Sequence, residues 1–179
     1  MSTDNLASTS DKTELANNVL LIVDTETLLS RYPQPSLEPD NPTLIDDGFI
    51  FFAGSTQAEK TVKNDSLITL TATNGNTFRI RGRTVSLRAE HSVVFYDIAV
   101  GDAGVLSPQQ LIVHSDLTLP APNPEDPTQP VSQEADDHYW QCKQLACGVE
   151  KCELSFMVVN PSCEAVGYFS WMVEVKVVS

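Results

Sequence analysis

Polar and apolar residues alternate with period two through much of this chain. In SLITLTAT, Leu67, Thr69 and Thr71 share one face while Ile68, Leu70 and Ala72 share the other. In TFRIRGRTVSL, Arg79, Arg81 and Arg83 fall on one face, with Phe78, Ile80 and Gly82 opposite. Successive side chains of an extended strand point to opposite sides of its sheet, so these runs predict half-buried strands. Asn74-Gly75 separates them, and because both residues tolerate positive φ, a tight hairpin is expected there. With β-rich runs at 19–24, 49–53, 92–100, 111–119, 138–146, 151–159 and 166–178, the pattern predicts about nine strands. Helical periodicity is thin: residues 25–30 suit a turn or two before Pro33 stops them. The expected fold is therefore all-β, a jelly-roll-like antiparallel β-sandwich with few or no helices.

A length of 179 residues suits one domain with its own core. The first 17 residues, MSTDNLASTSDKTELAN, are polar and aperiodic and are expected to form a disordered tail, leaving 18–179 as the domain. They lack the basic start and apolar stretch of a secretory signal, so the cytoplasm is the expected location. No run reaches the ~18 apolar residues of a membrane span. Lys and Arg total 11 against 24 Asp and Glu, for a net charge of −13. That field repels phosphate backbones and anionic membranes, which argues against nucleic acid as a partner. The stretch 120–137 holds five prolines and five acids, and is expected to be an exposed connection.

Chemistry-bearing signals are sparse. Cys142, Cys147, Cys152 and Cys163 are separated by four, four and ten intervening residues, without C-x₂-C knuckles, so core or edge thiols are the expected state. Cys142 and Cys152 flank a turn at Gly148, which also allows a cross-strand bridge. The apolar run 19–23 ending in Asp24-Thr25-Glu26 resembles the first motif of DnaQ-type exonucleases, whose paired carboxylates hold two metal ions. Pro33, Pro35, Pro39 and Pro42 then stand where that nuclease needs a second strand, and His91 does not sit at the required distance from Asp97. A metal-dependent nuclease is thus the remote alternative, and capping or solvated carboxylates are expected at Asp24 and Glu26. No G-x-S-x-G, Walker loop, G-x-G-x-x-G or H-E-x-x-H is present. No cofactor or catalytic residue is expected. The pairs Asp46-Asp47 and Asp136-Asp137 have the right ligand type for Ca²⁺, but neither lies in an EF-hand loop.

The candidate ligand-binding residues are Arg79, Arg81 and Arg83, whose forked donors suit carboxylates or sugar hydroxyls, with Tyr139, Trp140 and Trp171 as stacking platforms. The competing role for the arginines is to pair with acids on a neighbouring strand, and for the aromatics to form core or subunit interface.

Three blocks carry a family resemblance: DTETLLSRYPQPSLEPDNPTLID, RIRGRTVSLRAEHSVVFYDI and HSDLTLPAPNPEDPT. Together they resemble the PixA/AidA inclusion-body proteins of proteobacteria, over roughly Asn18 to Val178 and most distinctively in the first block. The resemblance implies a bacterial, non-enzymatic protein that acts by binding, with a glycan as the ligand class; self-association as a dimer or higher oligomer is expected separately, from the aromatic and β-branched content of the last strands. It also implies a link to inclusions and to quorum-sensing-regulated virulence, with storage in inclusions as the alternative function. Two features depart from the pattern: only three methionines, where inclusion-forming members are methionine-rich, and the four late cysteines.

Overall fold

A computed structural model describes residues 16–54, 57–60, 66–71, 77–86 and 90–179. Its strands are β1 (Ala16–Val23), β2 (Thr43–Ile45), β3 (Ile50–Gly54), β4 (Gln57–Lys60), β5 (Ser66–Thr71), β6 (Thr77–Thr84), β7 (Ser92–Val100), β8 (Gln110–Ala121), β9 (Val131–Lys143), β10 (Gly148–Val159) and β11 (Ala165–Val178). One α-helix, α1 (Thr25–Arg31), and a single 3-10 turn at Asp47–Phe49 complete the described elements. Of the N-terminal segment, residues 1–15 lie outside the described part, while Ala16 and Asn17 already belong to β1.

Two sheets face each other. Sheet A has the order β3-β1-β6-β9-β8 and sheet B the order β4-β5-β11-β10-β7, with β2 also paired to β11. The expected all-β sandwich is the architecture found, although its sheets are mixed: β1 with β6, β11 with β2 and β11 with β5 run parallel. The turn expected at Asn74-Gly75 lies outside the described residues, and the strands on either side of it join different sheets: β5 pairs with β4 and β11 in sheet B, while β6 pairs with β1 and β9 in sheet A. Each strand satisfies its ladders on partners elsewhere in the chain, so tertiary pairing decides the partners.

The alternation decides what lies between the sheets. Val19, Leu21 and Val23 of β1, Phe78 and Ile80 of β6, and Ile68 and Leu70 of β5 are all buried. They meet Leu154, Phe156 and Val158 of β10 and Phe169, Trp171, Val173, Val175 and Val177 of β11. Phe156 lies 5.2 Å from Phe95 and 5.6 Å from Phe169 between ring centroids, forming an aromatic spine. All three rings stand on sheet B, on β11, β10 and β7, and burying each contributes roughly 1.5–3 kcal/mol. Gly82 leaves room for them, because a Cβ there would run into the Phe95 ring.

The expected connection at 120–137 is shorter than the composition implies. Strand pairing from Leu117↔Ala135 to Ala121↔Val131 carries β8 and β9 deep into it, leaving 122–130 as the turn. Proline at 120 is tolerated because β8 is the edge of sheet A. The result is a long two-stranded ribbon whose residues are mostly exposed.

Candidate functional site

The arginine ladder lies on the outer face of sheet A. Arg81 donates to Asp137 from Nε at 3.2 Å and from Nη2 at 2.7 Å. That pairing holds the Asp137 carboxyl below its ordinary value, through the Arg81 hydrogen bonds first and nearby guanidinium charge second, against the opposing effect of burial. Arg79 donates to the neutral Gln141 side chain at 3.2 Å. The guanidinium carbons of Arg79 and Arg81 stand 5.1 Å and 4.5 Å from the centre of the Tyr139 ring, a cation–π arrangement that covers it. Tyr139 is buried beneath them, with its hydroxyl 3.2 Å from His114 Nε2. Arg83 is different: its side chain is 54% exposed, and its nearest carboxylate oxygen is 3.9 Å away on Asp137.

The two tryptophans are not part of this cluster. Trp140 points between the sheets, donating from its indole nitrogen to the Phe95 carbonyl at 2.9 Å. Trp171 is 1% exposed in the core, its indole nitrogen bonded to Asp47 at 2.7 Å. Of the six residues singled out as ligand-binding, the structure brings together Arg79, Arg81, Arg83 and Tyr139, and places Trp140 and Trp171 inside. Alternation explains this: Trp140 shares the parity of buried Cys142, and Trp171 that of Phe169 and Val173.

Asp24 caps α1. Its carboxylate accepts from the Thr27 backbone N–H at 3.1 Å and from the Thr27 hydroxyl at 2.7 Å. Glu26 is exposed in the first turn, where it complements the helix dipole. The helix ends at Tyr32, before Pro33, as the sequence implies. Among the described residues, no group of three or more His, Cys, Asp or Glu side chains is placed to hold a metal ion.

A cleft that alternation alone would not reveal opens on the outer side of sheet B. It encloses about 430 Å³ between Pro39, Asp40 and Pro42 of the proline-rich loop and Tyr96, Asp97, Ala99, Glu153 and Ser155. The register of β7 against β10 shifts between Ser155 and Phe156, so that Ser155 pairs with Asp97 and Phe156 with Phe95. Tyr96 is the extra residue of this bulge, and bulges commonly re-aim a side chain in this way. The sequence signal is that Phe95 is followed in the core by Ile98, three positions on instead of two. The Tyr96 hydroxyl donates to the Pro39 carbonyl at 2.8 Å, and its ring meets Tyr168 edge-on at 5.7 Å. Burial raises the Tyr96 hydroxyl above its ordinary value of 10.0 despite a hydrogen bond with Ser155, with the charges of Asp97 and Asp40 contributing in the same direction as burial. Gln109 donates to Asp97 at 3.3 Å. Three carboxylates and two hydroxyls make the cleft an acceptor-rich site, suited to ligands that present hydroxyl or amine hydrogens.

The cysteines are all free thiols. Cys142 and Cys152 are buried on strands of opposite sheets, while Cys147 and Cys163 are exposed. Burial pushes the Cys142 thiol up to about 11. Cys152 rises to about 12, chiefly by burial, with Cys142 and Glu150 beside it adding to the effect. Glu150 is 1% exposed and accepts from the backbone N–H groups of Ala103 at 3.1 Å and Val105 at 3.0 Å.

A family model described as PixA, inclusion body protein, matches residues 16–177. The crystal structure of an inclusion body protein from Burkholderia cenocepacia J2315 superposes with a TM-score of 0.75 at 17% identity, covering 94% of this chain and 98% of that one. The solution structure of Amebosin gives a TM-score of 0.25 at 12% identity over 61% of this chain and 87% of that one. No curated protein matches.

Proposed function

The chain belongs to the PixA inclusion body protein family, and on that premise we propose that it is a non-enzymatic protein that works by self-association. The observation that carries this is the β8–β9 ribbon. Two strands of 12 and 13 residues project apolar side chains into solvent: Val113 is 59% exposed, Leu111 47%, Val131 44% and Leu119 41%. An isolated two-stranded ribbon is marginal in water, and apolar residues on both its faces favour covering by a partner. Sedimentation velocity over a wide concentration range tests the proposal, with reversible growth in mass expected. A monomer at every concentration up to about 1 mM would leave less than about 4 kcal/mol of association free energy and would overturn it.

A second reading, glycan binding, is favoured by the acceptor-rich cleft beside Tyr96. Carboxylates that accept from sugar hydroxyls, next to an aromatic ring, are what a shallow saccharide site requires. Isothermal titration against the hits of a glycan array, with Asp97→Ala as control, is the experiment. Binding that survives Asp97→Ala, or an array blank with and without Ca²⁺, removes this reading while leaving self-association untouched.

A further inference from the structure

We propose that the association is heterologous: one face of the β8–β9 ribbon docks on the opposite face of sheet A in a second copy. The inference rests on the self-association reading and specifies its contact. On β9, odd-numbered residues from Asp137 to Gln141 share the outer face with the arginines, while Glu134, Asp136, His138 and Trp140 have the other parity. Leu111 pairs with Trp140 and Val113 with His138, so these exposed apolar residues share the second face with Glu134 and Asp136, both exposed. Among the described residues neither acid forms an ion pair, and the Asp136 carboxylate accepts from the Asp116 backbone N–H at 3.1 Å.

The outer face of sheet A supplies the complement. Phe51, Ile22 and Arg83 form one row across β3, β1 and β6, with Phe51 49% exposed and Arg83 54%. Arg79, four residues along β6 on the same face, forms no ion pair with a described residue. In a chain of net charge −13, like copies repel unless a local basic patch meets a local acidic one. The pairing of Arg83 and Phe51 with Glu134, Asp136, Leu111 and Val113 meets that condition with apolar contact at its centre.

Strand addition along the ribbon edge is the competing geometry, and β8 is built against it. Its register breaks between His114 and Leu117, Asp116 takes a left-handed φ of 57°, and Pro120 has no N–H to offer. Docking through faces avoids that broken edge. Because the two patches lie on opposite faces of one sheet, the contact is not self-complementary. A joined pair still presents one free ribbon, on one copy, and one free arginine face, on the other, which permits open-ended growth.

Charge reversal tests this. Arg83→Glu and Glu134→Arg are each expected to weaken association about tenfold or more, with circular dichroism unchanged. An equimolar mixture of the two is expected to recover assembly in alternating order, since each variant supplies the charge the other lacks. Val113→Asp is expected to abolish association without any rescue by Arg83→Glu. Wild-type-like assembly of each charge variant, no recovery on mixing, or growth that stops at a closed dimer overturns the proposal. A monomeric wild type overturns the self-association reading itself.

Discussion

Asp137 shows how one side chain organises a surface here. It accepts from Arg81, which in turn covers Tyr139, so the carboxylate, guanidinium and ring act as one unit. Its carboxyl titrates lower in the folded chain than its ordinary 3.8. The stabilisation is therefore complete above that ordinary value and is lost as pH falls through the lower folded value. Wild type is expected to exceed Asp137→Asn in urea-unfolding free energy by about 1 kcal/mol at pH 7, the difference shrinking as pH falls below the carboxyl's ordinary value. Glu150 fixes the loop after β7 by two backbone bonds in a dry setting. Its replacement by alanine leaves two N–H groups without their acceptor and should cost about 2–5 kcal/mol in the same measurement, with glutamine restoring only part. The thiols separate by burial. A disulfide reagent at pH 8 should titrate Cys147 and Cys163 quickly in the native protein, and Cys142 and Cys152 only on unfolding. Four equally fast thiols would contradict the burial described.

At the scale of elements, β6 is the strand to probe. Gly82→Ala pushes a methyl against Phe95 and should lower stability by about 1–3 kcal/mol, read as a drop in the unfolding midpoint. What local sequence could tell is clearest on this strand: the alternation of Arg79, Arg81 and Arg83 with Phe78 and Ile80 identified both faces. The same logic located β7, β10 and β11. Pairing was less visible, because Asn74-Gly75 describes a favourable local turn, whereas strand partners are chosen by the summed burial of distant runs. The cleft was hidden for a related reason. It exists only because a one-residue bulge turns Tyr96 outward and the 33–42 loop crosses over to meet it. Trp140 and Trp171 looked like platforms by residue type, but parity along their strands directs both rings inward.

For the whole molecule, ionic strength separates the two components of the proposed contact. Screening shortens charge–charge attraction to about 10 Å at 0.1 M salt. Association through the arginine and ribbon faces is expected to weaken between low and moderate salt and then level off, as the apolar part persists. Sedimentation at several salt concentrations reads this directly, and an association that only strengthens with salt would count against the paired-charge arrangement.

One feature of the topology bears on how such a protein is made. β11 lies at the middle of sheet B, flanked by β10 on one side and by β2 and β5 on the other. During synthesis the earlier strands of that layer therefore emerge from the ribosome with their central partner still untranslated, leaving apolar faces to be shielded by chaperones or tolerated. Sheet B, in that view, can close only after translation has delivered β11.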